Sequence, residues 1–222
     1  SMQKLQLKAQ RWSNIIGYLP GVAAVFLSGS LAQGNGSKDS DIDFFIVAYP
    51  NSIWTARFFT NLVLKFSFNL AKPWRHQARI CPNHFITTDC LEIVEQDAYS
   101  AHLFSHNQPL HDPLNIWVDF VETNSWVHEF DEAFPVLVKS EISKERVDPK
   151  NLVPKWVEGL LRWIQLKKIY TNKDFKKPGA KIVLKNTELR FHPDPKNQYW
   201  KSDKLVDLSK ADRQADVKIE TS

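Results

Sequence analysis

Asp41 and Asp43 stand two positions apart at the head of the apolar run Asp41-Ile42-Asp43-Phe44-Phe45-Ile46-Val47, ten residues beyond the turn Ser28-Gly29-Ser30. Side chains alternate between the two faces of a strand, so a strand beginning at Asp41 projects both carboxylates to the same side. Two carboxylates held together make a hard, all-oxygen site suited to Mg2+, which completes its shell with water and substrate phosphates. The Gly29-Ser30 turn complements them. Glycine lets the backbone approach a ligand closely, and backbone N–H groups with a serine hydroxyl attract phosphate oxygens. Five of the seven glycines (Gly17, Gly21, Gly29, Gly34 and Gly36) fall in the first 36 residues, around this segment. The elements that must position the group are an apolar strand from Val22 to Leu27, a tight turn with a short helix or loop, and a second strand from Asp41 to Ala48.

Other chemistries fit these residues less well. A P-loop requires Gly-x-x-x-x-Gly-Lys, and although Gly29 and Gly34 have that separation, Asn35 occupies the lysine position. Aspartate-nucleophile phosphatases place Asp-x-Asp after an apolar strand, whereas here the strand follows the pair. Nucleotide-sugar glycosyltransferases use Asp-x-Asp for a metal, with no reason for a Gly-Ser turn at this distance. Asp, Asn, Ser and Gly also favour ordinary turns. Against a bare turn, two like charges on one strand face repel each other unless a cation offsets them.

The pattern of apolar strand, Leu27-Ser28-Gly29-Ser30, ten intervening residues and Asp41-Ile42-Asp43-Phe44 resembles the nucleotidyltransferase superfamily, to which DNA polymerase beta and the minimal nucleotidyltransferases belong. The segments Trp54-Thr55-Ala56-Arg57, Cys81-Pro82-Asn83-His84-Phe85, Pro109-Leu110 and Arg190-Phe191-His192-Pro193 are also similar to bacterial proteins carrying such a domain. The firm resemblance covers residues 22–48. It implies an enzyme that moves a nucleoside monophosphate from a nucleoside triphosphate to a hydroxyl of a small molecule, a protein or an RNA, with release of pyrophosphate. Asp41 and Asp43 would hold Mg2+ or Mn2+, and Gly29 and Ser30, with Ser40 beside the aspartates, would hold the nucleotide. The alternative is a catalytically weakened nucleotide- or partner-binding module of the same fold, like the antitoxin-like members of the superfamily.

That alternative arises from a gap. The resemblance implies a third metal-binding carboxylate on a neighbouring strand, but the third strand, Ala78 to Thr88, contains no acid. Asp89 and Glu92 follow that strand and are candidates, as are Asn83 or His84 within it and Asp39 before the aspartate pair. Without an acid there, no obvious base takes the proton from the acceptor hydroxyl. Arg57, Arg75 and Arg79 are candidate triphosphate ligands, because guanidinium binds phosphate bidentately. His102 and His106 have the i, i+4 spacing of two metal ligands on a helix face. With no third ligand evident from the sequence they read as surface histidines.

A chain of 222 residues with 43% hydrophobic residues can bury one substantial core and a smaller second unit. Charge divides unevenly: residues 1–138 carry 9 Lys/Arg against 13 Asp/Glu, and residues 139–222 carry 20 against 12. The lysines between Lys167 and Lys185, interleaved with Ile169, Tyr170 and Phe175, are compatible with nucleic-acid contact, although a solvated face explains them more simply. Cys81 and Cys90 form no disulfide framework or Cys-x-x-Cys motif, and they suit a reducing cytoplasm as small buried residues. Ile53 to Leu70 is the most apolar stretch, but Arg57, Asn61, Lys65 and Asn69 interrupt it, giving a protein-buried helix with one wetter stripe and no membrane span. The expected class is α/β (α+β): a small mixed sheet flanked by helices over residues 1–110, a mainly helical region over 111–200 lining one side of the acceptor cleft, and a mobile tail over 201–222. Helices are expected from Leu5 to Gly17, from Asp97 as N-cap to His106, from Ile116 to Phe134 and from Leu152 to Tyr170.

Overall fold

The computed structural model describes residues 2–36, 40–70, 79–136, 153–172 and 181–192. The apolar spacing of Leu5, Ala9 and Ile16 produces helix α1 (Met2–Gly17), which buries that stripe. The run after Gly21 becomes strand β1 (Val22–Ser28), buried along its whole length. The turn continues as the short helix α2 (Gly29–Ala32), and strand β2 (Ile42–Ala48) opens between the two aspartates. Helix α3 (Ile53–Leu70) then crosses over to strand β3 (Ile80–Thr87), so β2 and β3 run parallel while β1 and β2 are antiparallel. Helix α4 (Ala98–Ser105) begins at Asp97, whose carboxylate accepts a hydrogen bond from the Ser100 N–H as expected of an N-cap.

The remaining elements depart more from the sequence reading. Strand β4 (Gln108–His111) adds to the free edge of β1. The helix expected over Ile116 to Phe134 is instead α5 (Ile116–Thr123) followed by a 3-10 turn, Ser125–Glu129. The break falls at Asn124, whose buried amide accepts from the Ile93 N–H and donates to the carbonyls of Leu91 and Phe120. Satisfying those buried backbone groups takes precedence over continuing the helix. Helix α6 (Lys155–Thr171) lies close to the expected span, and strands β5 (Lys181–Leu184) and β6 (Glu188–His192) form a hairpin where no regular element was expected. Residues 201–222, expected as a tail, lie outside the described residues.

The result is a six-stranded mixed sheet in the order β4-β1-β2-β3-β6-β5, covered on both faces by helices. Alternation along β2 sends Ile42, Phe44 and Ile46 to the core shared with α1 and α3, and Phe45 and Val47 to the core shared with α4 and α5. Asp43 shares the register of Phe45 and Val47, so it belongs to the α4–α5 face. Helix α6 is on the other face, docked on α3 by polar contacts: Glu158 accepts from the Trp54 and Thr55 N–H groups, capping α3, and Gln165 donates to the Trp54 carbonyl. Of the described elements beyond residue 110, α5 and the 3-10 turn share the face of the aspartates and α6 does not. No described helix is long and apolar enough to cross a membrane.

Candidate nucleotide and metal site

The site is built where β1 ends and β2 begins. Antiparallel pairing places Ser28 opposite Asp43, so the chain leaves β1 directly beside the second carboxylate. Gly29 takes φ +68°, a left-handed conformation that disfavours a side chain, and a Cβ there would collide with the Asp43 carboxylate. Both constraints require glycine at this position. Ser30 follows in the first turn of α2, half-buried, with Ser40 half-buried just before the aspartates. The turn, Asp41 and Asp43 therefore meet at one end of the sheet.

The Arg79 backbone N–H donates to Asp41 Oδ1 at 3.2 Å, and Asn83 Nδ2 donates to Asp43 Oδ1 at 3.4 Å. Cys81 lies opposite Asp43 in the parallel register. Burial, with the charges of Asp41 and Asp43 and a hydrogen bond to Asp41, pushes its thiol up to about 12, although Arg79 pulls the other way. The thiol is therefore protonated at neutral pH. Two carboxylates, flanked by a thiol and an amide, compose a donor set that fits a hard divalent cation through the carboxylates.

The neighbouring strand thus presents Cys81 and Asn83 where a third acid was sought. A β-bulge between Pro82 and His84 inserts one extra residue in β3 relative to β2. It leaves Asn83 reaching Asp43 and turns His84 into the core, between the rings of Phe45 and Phe104. His84 Nε2 is 3.1 Å from Glu188 Oε1, and Arg190 pairs with both Glu188 and Glu95. Burial holds the His84 pKa below its ordinary value.

Three candidates from the sequence lie elsewhere. Asp89 and Glu92 follow the far end of β3, which pairs with Ala48, on the order of 15 Å along the strands from Asp43. Because β3 runs parallel to β2, its end points away from the aspartates. Arg57 is on the opposite face of the sheet, where its guanidinium lies 4.2 Å over the Phe191 ring and Nη1 donates to Gln165 Oε1 at 2.7 Å. Burial lowers its pKa to about 10. Arg79 does adjoin the site, through its backbone bond to Asp41. Asp39 and Arg75 lie outside the described residues. Cys81, read from the sequence as a small buried residue, is a site neighbour that sequence reasoning missed; its position opposite Asp43 depends on strand register.

Residues 10–77 match the family model of the nucleotidyltransferase domain. That span contains α2, Gly29, Ser30, Asp41 and Asp43, so the resemblance carried by the motif holds there, and the mixed sheet flanked by helices is consistent with a nucleotidyltransferase-like fold. Among solved structures, a crystal structure of a toxin-antitoxin with AMP-PNP is similar at 16% identity and a TM-score of 0.32, over 57% of this chain and 86% of that chain. A comparison with curated proteins gave no match.

Proposed function

We propose that this protein is a divalent-metal-dependent nucleotidyltransferase, transferring a nucleoside monophosphate from a nucleoside triphosphate to a hydroxyl acceptor. The observation that carries the reading is the convergence of the Gly29-Ser30 turn on Asp43, with Asp41 in the same register. Asp41 and Asp43 would hold Mg2+ or Mn2+, which when bound offsets the charge of the triphosphate and of the departing pyrophosphate. Gly29 keeps the space beside Asp43 clear, and Ser30 and Ser40 offer hydroxyl donors to phosphate oxygens. Asn83 orients the Asp43 carboxylate. Neither the Asn83 amide nor the protonated Cys81 thiol can accept a proton from the acceptor hydroxyl.

That last point supports a second reading, a module that binds metal and nucleotide but transfers slowly or not at all. One pair of assays separates the two. Pyrophosphate release is measured for each of the four NTPs with Mg2+ or Mn2+ in the presence of cell extract, and metal-dependent NTP binding is measured by calorimetry, for wild type and for Asp41→Asn/Asp43→Asn. Release and binding that both disappear in the double variant support the enzyme. Binding without release supports the second reading, and binding that survives the double variant refutes both.

A further inference from the structure

The pair His102 and His106, which the sequence gives no third partner, acquires one in the fold. They lie one turn apart at the end of α4, ring centroids 5.4 Å from each other. Asp131, just past the 3-10 turn, brings Oδ2 to 3.5 Å from His102 Nδ1 and 3.9 Å from His106 Nδ1. One ligand atom from each residue lies within 4.8 Å of the other two. The carboxylate is held in place from behind: the Asp131 N–H donates to the Val127 carbonyl, Oδ1 accepts from the Ala133 N–H, and Ser105 Oγ donates to Oδ2 at 2.6 Å. All three residues are half-buried and open to solvent, and Ser105 Oγ, 2.7 Å from His106 Nδ1, bridges that histidine to Asp131, a contact that a metal bound at Nδ1 would replace.

The donor set distinguishes this cluster from the aspartate pair. Two imidazole nitrogens and one carboxylate oxygen suit Zn2+, whereas Mg2+ prefers oxygen ligands. Tetrahedral Zn2+ with bonds near 2.0–2.1 Å needs ligand atoms about 3.3 Å apart, so the 3.5 and 3.9 Å separations to Asp131 shorten by about 0.2 and 0.6 Å and the two histidines, whose ligand atoms lie within 4.8 Å, draw together on binding. A histidine that ligates through one ring nitrogen normally engages the other in a hydrogen bond. His102 Nε2 is 3.1 Å from the Gln33 side-chain amide, and rotating that amide by half a turn presents its oxygen to the ring N–H. Gln33 is the C-cap of α2, the helix that begins at Gly29, and its N–H bonds to the Gly29 carbonyl.

We propose that His102, His106 and Asp131 form a Zn2+ site, distinct from Asp41 and Asp43, that joins α4 and the segment after the 3-10 turn to the Gly29-Ser30 helix through Gln33. Three protein ligands leave a fourth position for water.

The test uses the full chain stripped with chelator and titrated with Zn2+ against a chromophoric competitor, with Co2+ absorption as a second readout. One Zn2+ per chain is expected at micromolar metal or below, with a tetrahedral Co2+ band. His102→Ala, His106→Gln and Asp131→Asn each abolish the stoichiometric binding and the band, and Gln33→Ala weakens binding about tenfold. Asp41→Asn and Cys81→Ser leave it intact. Circular dichroism verifies that each variant folds. Failure of wild type to bind Zn2+ at micromolar metal overturns the site, as does binding that survives the histidine variants or that disappears with Asp41→Asn or Cys81→Ser.

Discussion

Two polar clusters lie along β3, one toward β6 and one toward β2, and solve opposite problems. Around Glu188 the charges answer one another: Arg190 binds Glu188 and Glu95, and His84 bonds to the same Glu188. Its centre is enclosed, with the Arg190 side chain 9% and the Glu188 side chain 12% exposed, while Glu95 closes it from the rim at 42%. At the other end, among the described contacts, Asp41 accepts from the Arg79 N–H and Asp43 from the Asn83 amide, in a partly open site beside a glycine whose lack of a side chain keeps space clear. A buried cluster must neutralise itself, because desolvated charge is costly. Paired carboxylates in a more open site suit a divalent cation. The first cluster holds β3 and β6 together, and the second is the one proposed above to bind metal and nucleotide.

Breaking the enclosed cluster should give the largest effect. Arg190→Met leaves Glu188 buried beside His84 without its cation and should destabilise the fold by about 3–5 kcal/mol, read from urea unfolding. The open cluster should respond in activity and not in stability. Asp43→Asn should lower nucleotidyl transfer by about 10²–10³-fold, equivalent to about 3–4 kcal/mol at the transition state, with the urea midpoint little changed. An Asp43→Asn variant that unfolds readily, or an Arg190→Met variant as stable as wild type, would erase the distinction.

Acid should act first on the enclosed cluster. Burial opposes ionisation of Glu188, but the His84 hydrogen bond and the Arg190 charge prevail and hold its carboxyl at about 2, against an ordinary 4.5. The stability from this depressed carboxyl is fully present above about pH 4.5 and is lost as pH falls toward 2, an effect of about 3 kcal/mol. His84, held below 6.5 by burial, adds a loss in the same direction as pH falls below 6.5. Unfolding free energy measured against pH should therefore decline on the acid side, and Glu188→Gln should be weaker at pH 7 but flatter between pH 4.5 and 2. The smallest effect sharpens the open site: Asn83→Asp places a third carboxylate against Asp43 and should raise transfer about tenfold in saturating Mg2+, short of the roughly 10²–10⁴-fold of a fully positioned acid–base group. A rate unchanged or lowered by that variant would show that Asn83 does not stand at the missing position.

The parts legible in the sequence are those encoded locally. The strand–turn–strand around Gly29 and Asp43 reads from an apolar run, a glycine and an alternating run, and Asp97 announces its helix by its own capping chemistry. Long-range registry was not readable in the same way. Cys81 meets Asp43 only because β3 returns parallel to β2 after the α3 crossover, and the bulge at Asn83 reverses which side of the strand His84 occupies. Periodicity could not reveal that Glu188, distant in the chain, partners His84. The polar stripe of α3 suggested a wetter face, but at Arg57 that face is covered by Gln165 of α6 and by Phe191. The same reason hid Asp131 from the two histidines on α4.

The claim at the centre of this account is that the Gly29-Ser30 turn and the Asp41–Asp43 pair carry out nucleotidyl transfer. It is tested most directly by incubating the protein and cell extract with Mg2+ and each NTP in turn, labelled at the α-phosphate, and following the label into an acceptor. Label should pass to an acceptor with wild type and at least one NTP, and should not pass with Asp41→Asn/Asp43→Asn. No transfer by wild type with any NTP, or equal transfer by the double variant, would contradict it.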